Sequence, residues 1–285
     1  LIKEVTENEA KKKGITIKNL SKGLNIPYGK LVHLREGNTK TIRLQTLNAI
    51  LNLSNKSNFK FDELCGSTGK HFIKLPEYTN EDFMRLLGLI SSDGHLSHGI
   101  ISFSNKNFKL IQEVKQLIKS IFGRDSSIRI HSNANRDNYI LTFKSVPISC
   151  LFRELGLNFG KKSRTMTIHK DIFSLSQKSI GAFISGCLDG DGCVNISRQG
   201  AYFRIHSFSK EFIEQIYHCF VRLGIHPSII SNKRENGILH YIQVTSARDR
   251  EKLFQILKYH GKAQKLRNNI EVDKRTNLIP VGDVI

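Results

Sequence analysis

At 285 residues the chain is long enough for one large domain or two ordinary ones, and its 44 Lys and Arg against 25 Asp and Glu leave a net charge of +19. That imbalance is the electrostatic footprint of a polyanion binder; with no apolar run near the roughly 18 residues of a transmembrane helix and no signal peptide, a membrane is set aside and nucleic acid is left as the partner. Five scattered cysteines (Cys65, Cys150, Cys187, Cys193, Cys219) form no CxxC pair, which excludes a zinc knuckle or disulfide framework and fits an intracellular chain in the cytoplasm or nucleoid.

Residues 1–64 differ in character from the rest. The stretch Ile17 to Gly37 fits a helix-turn-helix, with Leu20 and Leu24 on the first helix, Asn25-Ile-Pro27 as the turn and Tyr28 to Arg35 as the recognition helix. This pattern is similar to repressor-type DNA-binding domains, and Lys30, His33 and Arg35 are its candidates for groove or phosphate contact; a small helical packing module is the competing reading. A linker over 65–79 opens with Cys65-Gly-Ser-Thr-Gly69 and runs through Pro76.

The next stretches say nearly the same thing twice. Leu86-Leu-Gly-Leu-Ile-Ser-Ser-Asp93-Gly94 and Ile184-Ser-Gly-Cys-Leu-Asp-Gly-Asp191-Gly192 are apolar segments with a central glycine, each ending in Asp-Gly, and the aspartates are 98 residues apart (191 − 93). After each comes strand-like sequence, an amphipathic helix (107–122; 211–223), a strand pair across a turn (127–131 and 139–144; 228–230 and 240–245) and another helix (146–157; 250–259). Gly160-Lys161 is echoed by Gly261-Lys262, and Phe103-Ser104 by Phe208-Ser209. Such repetition predicts two αββαββα units, over 80–175 and 176–270, in an α+β fold whose antiparallel sheets have helices on one face. Polar residues alternate with apolar ones along the strands. They place Arg129, His131, Thr142, Lys144, Asn195, Tyr202, Arg204, His206, Tyr241, Gln243 and Thr245 on the opposite faces, where such side chains can read base edges in a major groove.

The motif segments are apolar nearly all round and carry small residues at matched positions (Gly88; Gly186 and Gly190), which predicts two buried helices packed backbone to backbone. Asp93 and Asp191 then emerge together at the helix C-termini, beside Gly94 and Gly192, as a divalent-cation site suited to phosphodiester hydrolysis. A single Asp-Gly after a helix would be only a cap and turn; two in matched contexts are more.

With these residues in view, the sequence over about 80–270 resembles the LAGLIDADG homing endonucleases in their single-chain, two-motif form, and most nearly those carried inside inteins. The resemblance implies a DNA-binding saddle built of the two pseudo-symmetric repeats. It also implies Mg²⁺, or Mn²⁺ in its place, held by Asp93 and Asp191, and a monomer that cuts both strands of a long, imperfectly symmetric duplex. Lys161 or Lys162 and Lys262 or Lys265, in the matching glycine-lysine segments, are then candidates to polarise the attacking water or stabilise the transition state, with phosphate contact as the alternative. One departure is Ser91 where the family usually has an acid; the second motif keeps Asp189, and the upstream acid is not the family's metal ligand. The tail over 271–285, with Asn277 to Ile285, resembles the return segment towards a splicing domain, yet Leu1 and the lack of a terminal His-Asn imply no splicing activity. Two other functions fit the same fold, a non-catalytic regulator with a helix-turn-helix and an RNA maturase.

Overall fold

The computed structural model describes residues 2–38, 44–53, 63–65, 72–74, 80–133, 136–160, 162–197 and 200–257. The chain divides into two compact units, Leu1–Leu75 and Pro76–Ile285.

Among its described residues the first unit contains four helices, α1 (Ile2–Lys13), α2 (Ile17–Gly23), α3 (Tyr28–Arg35) and α4 (Leu44–Asn52), followed by the short antiparallel strands β1 (Glu63–Cys65) and β2 (Phe72–Lys74). Thr16 starts α2 by accepting a hydrogen bond from the Asn19 amide, and Asn25 turns the chain at φ 55°, a left-handed conformation that asparagine tolerates better than most residues. Val5, Ile26, Leu31 and Ile50 form the buried centre, with Ile2, Ile17, Leu24 and Leu53 packed against it. The predicted helix-turn-helix is present as α2 and α3. The pairing of Glu63–Cys65 with Phe72–Lys74 adds a ladder between the end of the 1–64 segment and the stretch the sequence suggests as a linker.

The second unit is the predicted pair of repeats. The first runs α5 (Glu81–Asp93), β3 (Gly94–Ser97), β4 (Ile100–Asn105), α6 (Phe108–Phe122), β5 (Ser127–Asn133), β6 (Arg136–Lys144) and α7 (Val146–Glu154). The second runs α8 (Gln177–Asp191), β7 (Gly192–Ser197), β8 (Gly200–Ser207), α9 (Lys210–Arg222), β9 (Ser228–Arg234), β10 (Gly237–Val244) and α10 (Ala247–Ile256). Each repeat makes a four-stranded antiparallel sheet of the same topology, β3-β4-β6-β5 and β7-β8-β10-β9.

Local chemistry sets these elements. In each repeat all three helices begin on a polar cap, Asn80, Asn107 and Ser145 in the first and Ser176, Ser209 and Ser246 in the second, whose side chains accept from the first-turn amides. Along β8, Phe203 and Ile205 are buried while Tyr202, Arg204 and His206 are half-exposed, so the alternation does divide a helix-covered face from an open one. Phe83, Phe122 and Phe152 meet in the core of the first repeat; Phe203, Phe212 and Ile216 are buried in that of the second.

One echo in the sequence does not survive folding. Phe103 faces Gly94 across the first hairpin and Ile205 faces Gly192 across the second, so Phe103 corresponds to Ile205 and not to Phe208. Ser104 lies on a strand, whereas Ser209 caps a helix and corresponds to Asn107.

Candidate active site

The two motif helices cross with their backbones in contact, and glycine is what permits it. A Cβ at Gly88 would run into the Phe183 carbonyl and lie 3.0 Å from the Gly186 Cα; a Cβ at Gly186 would lie 2.5 Å from the Arg85 carbonyl. Residues Phe83 to Ser91 of α5 are all buried, as are Phe183 to Gly190 of α8. Gly94 and Gly192 follow the two helices with ordinary negative φ, and the constraint on them is space: a Cβ would collide with Ile90 O and Leu188 O respectively, the carbonyls of the preceding turn.

This crossing delivers the two aspartates to one place. Asp93 ends α5 and Asp191 ends α8. A Cβ at Gly190 would stand 3.3 Å from Asp93 Oδ2, so the carboxylate of the first repeat lies against the residue preceding the acid of the second. Gly190 also meets the Ser92 side chain, whose hydroxyl is turned back onto Gly88 O and Leu89 O at 3.2 and 2.9 Å. Asp93 is half-buried and Asp191 exposed.

Asn105 orients the first acid. Its Nδ2 donates to Asp93 Oδ2 at 2.6 Å while its Oδ1 accepts from the Asn107 amide at 2.8 Å, so both ends of the side-chain amide are fixed. Near the second acid, His206 Nδ1 lies 3.5 Å from the Asp191 backbone carbonyl. Sequence reading missed Asn105, although the hairpin register carried a signal: Phe103 faces Gly94, so the strand continues two residues further, alongside the helix end bearing Asp93.

A buried ion network explains the unequal upstream positions. Arg85 Nη2 donates to Asp189 Oδ2 at 2.7 Å across the helix pair, and its Nε and Nη2 donate to the Glu113 carboxylate at 2.8 and 3.1 Å. Its Nη1 donates to Ser185 Oγ at 3.0 Å. Burial of Arg85 opposes its charge, but Glu113 and Asp189 outweigh that and hold its pKa above the ordinary value. Asp189 is therefore the partner of a cation from the other repeat. Ser91, its counterpart, satisfies itself on Leu87 O at 2.7 Å.

Among the described residues no three His, Cys, Asp or Glu side chains group as a closed metal cage. Two carboxylates at adjoining helix ends instead fit a hard cation that keeps open positions for water and phosphate, as Mg²⁺ does. Lys161, Lys262 and Lys265 lie outside the described residues, as does the side chain of Lys162, which starts a short 3-10 turn. The preceding Gly160 donates its amide to Leu96 O at 2.8 Å, tying the first glycine-lysine segment to the strand that leaves Asp93.

On the open face of the second sheet, Tyr202, Arg204, His206 and Gln243 lie together and half-exposed, with Asn195 beside Tyr202; Tyr241, expected as a DNA contact, is instead buried against Arg204 and His206. Thr245 is exposed one residue beyond β10. On the first sheet Arg129 and Lys144 are exposed and Thr142 half-buried; the His131 side chain lies outside the described residues. In the first unit His33 is exposed and Lys30 half-exposed on α3, whereas Arg35 Nη2 donates to Glu7 Oε1 of α1 at 2.7 Å. Cys187 and Cys219 are buried, and desolvation pushes the Cys219 thiol up to about 12, which makes it an inert packing residue. No described helix is long and apolar enough to cross a membrane.

The LAGLIDADG-like domain model matches residues 80–171 and 178–258, one match per repeat, and a Cro/C1-type helix-turn-helix DNA-binding domain model matches residues 7–55. Two curated relatives are a glutamine–fructose-6-phosphate aminotransferase of Methanocaldococcus jannaschii, 24% identical over 79% of this chain, and an ATP synthase subunit (A-type) of Pyrococcus horikoshii, 26% identical over 55%. The matched regions span only 20% and 15% of those relatives' own lengths. Among solved structures, full-length DUF199/WhiA from Thermatoga maritima aligns over 72% of this chain and 64% of its own with a TM-score of 0.50 at 16% identity. I-DmoI in complex with DNA and Mn aligns over 64% and 99% with a TM-score of 0.46 at 21% identity. Repeat by repeat, over more than half of its length, the chain belongs to the LAGLIDADG-like domain family.

Proposed function

We propose that the chain is a site-specific DNA endonuclease that makes a double-strand break in a long, imperfectly symmetric target by divalent-metal-dependent phosphodiester hydrolysis. The observation that carries this reading is the delivery of Asp93 and Asp191, one from each repeat, to adjoining ends of two helices in backbone contact. A pseudo-twofold pair of acids matches a substrate with two antiparallel strands, each carrying a scissile phosphate.

A divalent cation bound there, Mg²⁺ or Mn²⁺, supplies Lewis-acid polarisation of the phosphate and lowers the pKa of a bound water. Asp93 and Asp191 would hold it, with the backbone of Gly94 and Gly192 next in the chain as further candidates. Asn105 fixes the rotation of the Asp93 carboxylate. Lys161 or Lys162, following the anchored Gly160, and Lys262 or Lys265 in the second repeat are the sources of positive charge towards the phosphate as its negative charge grows. The open sheet faces, with His131, Thr142 and Lys144 on one and Asn195, Tyr202, Arg204, His206, Gln243 and Thr245 on or beside the other, read the duplex, while Arg129 at the edge of the first sheet contacts phosphate and the buried Tyr241 supports Arg204. The helix-turn-helix contributes a further DNA contact through Lys30 and His33. The net charge of +19 supports a duplex partner throughout.

An intein origin is supported by the kind of relative the chain matches. An aminotransferase and part of an ATP synthase have no chemistry in common, yet each contains a stretch like this one amounting to a fifth of its length or less. A module carried as an insertion in unrelated hosts gives that pattern.

Supercoiled plasmid carrying randomised or genomic inserts, incubated with the chain and Mg²⁺, will be linearised at a recurring long sequence and spared in EDTA. Equal cutting in EDTA would remove the metal mechanism. Tight, sequence-selective binding without any break would favour a non-catalytic regulator, and preference for structured RNA over duplex DNA across a salt series would favour a maturase.

A further inference from the structure

We infer that Arg204 reads an obligatory guanine in the half of the target faced by the second repeat, from a nest that holds its guanidinium ready before DNA arrives. The inference rests on the open sheet face being a DNA-reading surface, as proposed above. Arg204 lies on β8, one of the two inner strands, directly opposite Gln243 of β10. Its Cζ sits 4.0 Å from the centre of the Tyr202 ring and 4.8 Å from that of Tyr241, so aromatic faces approach it from two neighbours. Both rings are themselves tethered: Asn195 Nδ2 donates to the Tyr202 hydroxyl at 2.8 Å and Asn232 Nδ2 to the Tyr241 hydroxyl at 3.4 Å.

The Arg204 Nε donates to Gln243 Oε1, which commits that corner of the fork and leaves the edge formed by the two terminal nitrogens. Gln243, its carbonyl engaged, offers its Nε2 donors beside that edge. A planar array of donors calls for an edge with paired acceptors, and in the major groove guanine supplies it through N7 and O6. Stacked, tethered and hydrogen-bonded, the side chain has little rotamer entropy left to lose on binding. A phosphate also accepts an arginine fork, but a flexible arm suffices for that and the nest would be superfluous. Arg129 supplies the contrast, exposed on β5 at the edge of the first sheet.

The test is selection of bound duplexes from a randomised library by the full chain in Ca²⁺ buffer, repeated with Arg204→Gln, Arg204→Lys, Tyr202→Leu and Arg129→Ala, each checked for an unchanged melting temperature. The wild-type consensus is expected to hold one guanine that only Arg204 and Tyr202 govern. Arg204→Gln should lower preference for it by about 5- to 150-fold and move it towards adenine, leaving other positions intact. Arg204→Lys should lose the guanine while keeping the charge-driven affinity, and Tyr202→Leu should weaken the same position. Arg129→Ala should lower affinity for all sequences alike. An unchanged consensus in both Arg204 variants, or a uniform loss across sequences, overturns the inference while leaving the DNA-reading face in place. No enrichment of any duplex by the wild-type chain overturns both.

Discussion

The two repeats share strand order, capping positions and the crossing glycines, yet their open faces are built on different physics. On the first sheet the inner strands present hydroxyls and amides (Ser102, Ser104, Asn138 and Thr142, with Asn138 Nδ2 on Ser104 Oγ at 2.8 Å) beside Ile140 and the exposed Lys144. On the second they present Tyr202, Arg204, His206 and Gln243 around a buried Tyr241, held by cation–ring contacts and hydrogen bonds. Short hydroxyl side chains can donate or accept, and so accommodate several base edges; a stacked arginine cannot. If these faces read DNA as proposed, the same framework supports one more adaptable half and one more exacting half, and asymmetry of the target would follow from these side chains.

The helix pair repeats the lesson in the core. Gly88 and Gly186 are equivalent and do the same work, whereas Arg85 of the first repeat reaches Asp189 of the second and its own counterpart is Phe183. A buried cation on one side and its acid on the other fix which helix faces which.

Ways to break that arrangement differ in size. Arg85→Ala removes the buried cation that Asp189 and Glu113 share and should cost about 3–5 kcal/mol in denaturant unfolding, whereas Arg85→Met combined with Asp189→Leu should recover most of the loss. Equal stability of the single and double variants would show that the pair does not couple the halves. Gly190→Ala drives a Cβ into Ser92 and should destabilise by about 1–3 kcal/mol. At the matching position of the other repeat, Ser92→Gly should cost only the ~1 kcal/mol of a glycine in a helix, so calorimetry of the two variants measures the asymmetry directly. Asn105→Ala loosens Asp93 alone. Because the centre is shared, cleavage of both strands should slow together by about 10- to 100-fold; nicked circles, from one strand alone lagging, would mean that each acid serves its own strand. Arg129→Ala is the mildest, lowering the slope of log affinity against log salt by about one without changing the cleavage site.

Much of this molecule is legible in the sequence because its architecture is written in local periodicity. The 98-residue repeat, the amphipathic helices, the hairpins and the helix-turn-helix around Asn25 all follow from apolar spacing, caps and turn residues. Contacts set by the tertiary crossing are not legible. Arg85 and Asp189 are 104 positions apart, and nothing around either residue announces the other. Asn105 becomes a partner of Asp93 only once the hairpin register is known. The segment after α7 reads in the sequence as little more than a lysine-bearing loop. It carries two short 3-10 turns (Lys162–Arg164 and Lys170–Ser174) and buries Met166 and Ile168, held by Ser209 Oγ on Met166 O and by Gln215 on both backbone groups of Ile168. Those partners lie in the other repeat, so no local pattern marks them.

The central claim is that Asp93 and Asp191 form one shared centre that serves both strands. Its most direct test compares cleavage and binding of a selected target duplex by the wild-type chain, Asp93→Asn and Asp191→Asn in Mg²⁺. Each variant should bind the duplex as tightly as wild type and make no double-strand break. A variant that still linearises the target would contradict that claim.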